Sequence, residues 1–364
     1  MTRILAASAA VLAIASTGAA ADTKLTYGSW LPPTHVVVEK GLQPFFDRVA
    51  ADSNGSLTWE LFSGGSMGGP KESLQIVKDG LVDSSLLVDV YYKSELPVAV
   101  TMSDLFMLVD DQIAWGAALT ETQLLDCPQC EAEFKKHDLK PLAFYSGGDY
   151  HLMCTEEVHT LDQVKDKKVR ASTRNGALSE HWGAVPVSIT TAEMYEAMQR
   201  GQADCTIGAY AWLNSYGLKD LVTSIVETPI GGIFSALVMY TTEDRWADLS
   251  DEERTILLKE MPQLVADINF SYYEEGLEAA QQAKADGIEF YAMGDDMKAS
   301  FDEFLKGEIG YSEEKAREAG VDDPSAIVDA LMKNVEKWKG IMAEIGMDRQ
   351  KYAEKLWSEI YSKL

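Results

Sequence analysis

Hydrophobic and polar positions change period repeatedly along this chain. "KLTYGSWL" has strand alternation, and "VVVEKGLQPFFDRVAADSNG" then spaces its apolar residues for a helix that ends on Asn54-Gly55. "SLTWELF" returns to the strand period. "PKESLQIVKDG" predicts a helix with Pro70 near its first turn and Gly80 past its end, and "LVDSSLLV" predicts another strand. A β-α-β-α-β order implies parallel strands joined by crossover helices, so the first half reads as an α/β domain.

A second alternating stretch starts near residue 140. "KPLAFYS", "YHLMCTE", "KKVRAS", "VPVSI" and "ADCTIGAY" read as strands, and "LDQVKD", "NGALSEHWG" and "TAEMYEAMQRG" as the helices between them. Beyond "SALVMYTTE" the pattern is helical almost to the end, beginning with "SDEERTILLKEMPQLVADINFSYYEEGLEAAQQAKADG". Within it Leu257, Leu258, Met261, Leu264, Val265 and Ile268 keep to one face, the spacing of a core stripe. Two α/β units predict two lobes, and the cleft between lobes is the usual place for a small-ligand site.

The first residues alter the picture of where the chain works. "MTRILAASAAVLAIASTGAAADTK" has a positive start at Arg3, a short apolar run and small residues at Ala19-Ala20-Ala21, the pattern of a cleaved signal peptide over residues 1–21. A soluble, exported protein is expected, with the mature chain starting near Asp22. Charge narrows the partners: 58 acidic residues against 32 basic ones give a net charge of -26, which argues against nucleic acid and against an anionic membrane face. The four cysteines, Cys127, Cys130, Cys154 and Cys205, are an even number, and in an oxidising compartment disulfides are the default. "CPQC" follows the helical "AWGAALTETQLLD" rather than a strand, which favours a short structural disulfide over a redox centre; three pairings of the four cysteines stay open.

Catalytic patterns are weak. The five histidines contain no H-E-x-x-H pair, "SGGSMGGPKE" lacks the Lys-Ser/Thr ending of a P-loop, and no G-x-S-x-G elbow occurs. Gly64, Gly65, Gly68 and Gly69 read as a strand-to-helix turn. No cofactor or metal is expected. Arg170, in "KKVRAS", stands out because an always-charged guanidinium at a strand end needs an anion, and its planar fork suits a carboxylate. An internal Asp or Glu meets that need as well as a ligand does. Trp30, Tyr91, Tyr92, Tyr150, Tyr210 and Trp212 all fall at or just after predicted strand ends, where open α/β sheets place ligand-contacting loops.

"GSMGGPKESLQIVKDGLVD" and, more specifically, "KKVRASTRNGALSEHWGAVPVSITTAEMYEAMQRGQADC" resemble the solute-binding proteins of the tripartite ATP-independent periplasmic (TRAP) transporters, of the dicarboxylate-binding-protein (DctP) type. The resembling pattern is carried by Arg170, Gly183-Ala184-Val185-Pro186, Glu193, Tyr195, Ala197, Met198, Gln199, Gly201 and Asp204. The resemblance implies a two-lobed α/β periplasmic-binding-protein fold with a hinge, a long inter-lobe helix and a helical C-terminus. Residues 22–147 are then lobe I, with 235–270 returning to it, and 148–234 lobe II. The long helix covers 251–286, and the helices of 287–364 are expected to pack mainly on lobe II.

The family's arginine binds the substrate carboxylate, and Arg170 matches it. Some relatives add a second arginine about where Tyr150 and His151 stand and an asparagine near Gly208; neither is kept here, which disfavours a short dicarboxylate. The expected ligand contacts are Arg170, with Thr173 beside it, Trp30, Asp89 and Tyr91 from lobe I, and Tyr150, Gly208, Trp212 and Phe234 from lobe II. The aromatic residues favour an apolar or ring-bearing monocarboxylate, with a zwitterion paired to Asp89 as the alternative. The implied protein is a monomeric periplasmic receptor serving membrane permease subunits, with no nucleic-acid partner. Its rivals are a secreted enzyme using Asp89, His151 or Glu193, and the binding protein of an ATP-driven importer.

Overall fold

A computed structural model describes residues 22–364, so the expected signal peptide lies outside the described residues. The strands are β1 (Thr23–Gly28), β2 (Leu57–Phe62), β3 (Ser84–Ser85), β4 (Leu87–Val88), β5 (Lys140–Tyr145), β6 (Tyr150–Cys154), β7 (Lys168–Arg170), β8 (Val185–Val187), β9 (Cys205–Ala209), β10 (Ser224–Val226), β11 (Ala236–Thr241) and β12 (Glu289–Tyr291). They form a three-stranded sheet ordered β2-β1-β3, a second three-stranded sheet ordered β4-β11-β5, and a six-stranded sheet ordered β12-β10-β6-β9-β7-β8.

The first lobe holds the two small sheets. β1 pairs in parallel with both β2 and β3, as the alternating pattern predicts. "LVDSSLLV" does not form one strand: Leu86 separates β3 from β4, which turns to pair antiparallel with β11. Helix Gln43–Asp52 covers the first sheet, where Phe46 stacks on Trp59 at 5.1 Å between ring centroids. The Tyr27 hydroxyl donates to Val238 O at 2.5 Å and ties the two sheets into one core.

The second lobe is built on the six-stranded sheet. β7 lies parallel to both β8 and β9, and Arg170 at its C-terminal end reaches Tyr91 of the other lobe. β6 and β9 run antiparallel, unlike the all-parallel first sheet, and Cys154 lies directly opposite Cys205. The structure has a Cys154–Cys205 disulfide and a Cys127–Cys130 disulfide.

The long helix runs Asp251–Ala285, its start fixed by reciprocal Ser250 and Glu253 bonds in a capping box. Its early part packs on helix Gln43–Asp52, where Arg48 pairs with Glu260 at 2.5 Å and Asp267 at 2.9 Å. Farther on, Tyr272 reaches Trp212 of the second lobe. Between β5 and β6 the chain crosses from one lobe to the other beneath this helix. Gly147 is needed there, because an added Cβ falls 2.4 Å from Ile233 Cδ1 and 2.8 Å from Tyr272 Cγ.

One expectation about the C-terminus is corrected. Helix Asp295–Leu305 does lie on the second lobe, with Phe301 against Trp182. Helices Pro324–Ile345 and Arg349–Glu359 instead cover the first lobe and the long helix. The reason is helix Gln112–Glu121, buried along its whole length, whose outer face needs an apolar cover. Pro324–Ile345 supplies one from Ile327, Leu331, Val335 and Trp338, and the Trp338 indole N–H donates to Glu121 Oε2 at 2.7 Å.

Candidate functional site

Arg170 ends β7 and is 2 % exposed. A guanidinium so deep keeps its charge only with polar partners. Its Nε donates to Ile189 O at 3.1 Å, and its Nη2 donates to the Tyr91 hydroxyl at 3.5 Å. Among the described residues no aspartate or glutamate oxygen forms an ion pair with it. The guanidinium carbon lies 6.0 Å from the centroid of the Trp212 ring.

Arg170 lines a cavity between the lobes, enclosing about 40 Å³. That volume suits on the order of three waters. From the first lobe come Trp30, His35, Val88, Tyr91 and Tyr145; from the second, Tyr150, Thr191, Trp212 and Tyr216; Phe234 lies on the connection leading to β11 and Tyr272 on the long helix. Among the described residues no carboxylate lines this space. Tyr150 holds the aromatic wall together, 5.2 Å from Trp212 and 5.8 Å from Phe234 by ring centroids. Burial, the largest influence, raises the pKa values of Tyr145, Tyr150, Tyr216 and Tyr272, so these hydroxyls stay protonated. Burial also holds His35 down to about 3, which keeps its ring neutral.

Six of the nine residues singled out in the sequence therefore meet at one cavity: Arg170, Trp30, Tyr91, Tyr150, Trp212 and Phe234. The other three lie elsewhere. Asp89 is buried beneath the first lobe's surface, accepting from the Ser103 hydroxyl at 2.7 Å, and Ser103 in turn accepts from Ser235 N–H at 2.9 Å. Burial pushes its pKa up to about 8, so it is a protonated core carboxyl rather than a counter-charge. Thr173 has a left-handed φ of 47° and faces a separate space lined by Lys93, Asp104 and Arg174. Gly208 lies under the Trp212 ring, where an added Cβ falls 2.1 Å from Cε3; it makes room for the indole and does not line the cavity that holds Arg170.

The sequence reading missed His35, Tyr145, Thr191, Tyr216 and Tyr272. Tyr272 and Tyr216 sit on helical or turn segments, where the strand-end rule that found the others does not apply. A usable signal was "THVVVEK", in which one histidine precedes an otherwise apolar run that the fold buries.

The family model for bacterial extracellular solute-binding proteins, family 7 (DctP), matches residues 28–314. A solute-binding protein of Sulfitobacter sp. (strain NAS-14.1) is 25 % identical over 203 residues, 55 % of this chain and 61 % of that protein. The ectoine-binding periplasmic protein TeaA of Halomonas elongata is 25 % identical over 159 residues, 43 % of each chain. The matches thus span less than two thirds of either relative. Among solved structures, a TRAP solute-binding protein from Rhodoferax ferrireducens in complex with copurified benzoate superposes with a TM-score of 0.76 at 18 % identity, covering 88 % of this chain and 99 % of that one. At that identity the likeness establishes the two-lobed fold alone.

Proposed function

The chain belongs to the bacterial extracellular solute-binding proteins, family 7, and from that premise we propose that it captures a small organic acid between its lobes in the periplasm and hands it to the permease of a TRAP transporter. The observation that carries this reading is Arg170: a buried guanidinium, lining an inter-lobe cavity, whose protein partners are a carbonyl and a phenol instead of a carboxylate. In such a setting a two-pronged charged hydrogen bond to a ligand carboxylate is strong and directional. Arg170 clamps the acid, and Trp30, Tyr91, Tyr150, Trp212 and Phe234 supply the aromatic walls.

Recognition works by closure. Tyr91 belongs to the first lobe, yet its hydroxyl accepts from Arg170 and from Thr191 N–H at 3.2 Å in the second. These bonds and the two-sided ligand contact exist together only with the lobes shut, so the ligand favours the shut form, and a permease distinguishes that form by shape. No covalent step belongs to this role.

A monocarboxylate with a ring or apolar body is favoured over a zwitterion, because among the described residues no acidic side chain lines the cavity to neutralise an ammonium. The benzoate carried by the Rhodoferax protein is in keeping with that preference. A thermal-shift screen over organic acids tests the reading. An acid present at a hundred times its dissociation constant adds about 2.7 kcal/mol of stability; a panel that leaves the melting temperature unmoved argues against it.

A further inference from the structure

The hydroxyl of Tyr272 sits where two donors converge. The Trp212 indole N–H, which can only donate, reaches Tyr272 Oη at 2.9 Å. His35 Nε2 lies 3.2 Å from the same oxygen. The direction of that second bond follows from the other ring nitrogen: His35 Nδ1 faces the backbone N–H of Val37 at 3.2 Å and must accept from it. A neutral imidazole with an accepting Nδ1 carries its hydrogen on Nε2, so His35 donates to Tyr272 as well.

Tyr272 Oη therefore accepts twice, and its own hydrogen goes to neither neighbour. Among the described residues no protein acceptor lies within hydrogen-bond distance to take it. Tyr272 lines the same cavity as Arg170, and a buried donor without an acceptor is costly. The two donors hold the phenol in place, with the ring stacked beside Tyr145 at 6.3 Å between centroids.

We propose that Tyr272 is a specificity-determining residue that presents its O–H to the guest, so that the acid taken here carries a second acceptor oxygen, a hydroxyl or a carbonyl, besides its carboxylate. This rests on the reading that Arg170 clamps the carboxylate, and it adds the other end of the ligand. A donor-lined cavity with no carboxylate suits such an oxygen and rejects an ammonium in its place.

Matched pairs of acids test it: mandelate against phenylacetate, and lactate against propanoate, each titrated calorimetrically into the full mature chain. In at least one pair the oxygen-bearing member binds roughly tenfold more tightly than its partner, the scale of one well-made buried hydrogen bond. Tyr272→Phe then erases the difference by weakening the oxygen-bearing member alone. Pairs that bind alike in the wild type, pairs of which neither member binds, or a Tyr272→Phe variant that weakens both members equally overturn the proposal. The wild-type comparison needs no variant, so the result stands even where Tyr272→Phe folds poorly. Arg170→Ala separates the two claims: it removes binding of both members of a pair where the carboxylate clamp holds, whatever Tyr272 does.

Discussion

Tyr91 and Arg170 meet across the cleft. The guanidinium Nη2 donates to the Tyr91 hydroxyl at 3.5 Å, and the same hydroxyl accepts from Thr191 N–H at 3.2 Å. One phenol from the first lobe thus grips two points on the second, beside the cavity it helps to line.

Removing that oxygen weakens closure without removing the carboxylate clamp. Tyr91→Phe is expected to weaken binding of the tightest acid from the thermal-shift screen by about three- to tenfold, mostly through faster dissociation. Surface plasmon resonance reads the dissociation rate directly. An unchanged rate removes Tyr91 from the account of closure.

The Asp89 carboxyl gives a pH signature. In the unfolded chain an aspartate ionises near pH 4, whereas burial lifts Asp89 in the folded protein to about 8. Between those values the unfolded chain has released a proton that the folded one keeps, so stability contributed by this group is complete below about pH 4 and declines as pH rises to about 8. The decline is at most about 1.4 kcal/mol per pH unit. Asp89→Asn removes it, so unfolding free energies measured from pH 5 to 8 fall less steeply in the variant than in the wild type. Asp104 and Glu133, raised by burial to about 6 and about 7, titrate in both proteins, and because their charges also push Asp89 up, the difference between the profiles reads Asp89 together with that coupling. Parallel profiles contradict the assignment of Asp89 as a protonated core group.

The two disulfides differ in what they restrain. Cys154–Cys205 joins residues 51 apart and Cys127–Cys130 residues 3 apart. On chain-entropy grounds Cys154→Ala/Cys205→Ala costs about 4 kcal/mol and Cys127→Ala/Cys130→Ala about 2 kcal/mol. Urea unfolding of the two double variants measures both, and the reverse order counts against this account.

The parts of this structure legible in the sequence are those set by local periodicity. The strand that ends at Arg170, the parallel first sheet and the capped helix beginning at Asp251 follow from pattern and caps. Of the strand-end aromatic residues, Trp30, Tyr91, Tyr150 and Trp212 line the cavity, since strand ends at one edge of an α/β sheet converge, whereas Tyr92 turns to donate to Pro70 O and Tyr210 stacks on His151. Asp89 and Tyr91 were read as neighbours on one wall, but they sit in a single 3₁₀ turn, which sends one side chain into the core and the other to the cavity. Thr173 sits where the backbone takes a left-handed turn that no pattern announces. Tyr272 lies inside a long helix whose apolar stripe identifies its core face, while the partner at its tip, His35, is 237 residues away. The placement of Pro324–Ile345 was missed for a related reason: its apolar stripe is legible, but the surface that receives it is not.

The clamp itself is tested by calorimetry on Arg170→Ala beside the wild type, using the tightest acid found in the thermal-shift screen. The account predicts a loss of affinity of at least about a hundredfold, with the ligand-free melting temperature little changed, because truncation removes a charge-assisted, two-pronged bond from a buried site. A dissociation constant equal to that of the wild type contradicts it.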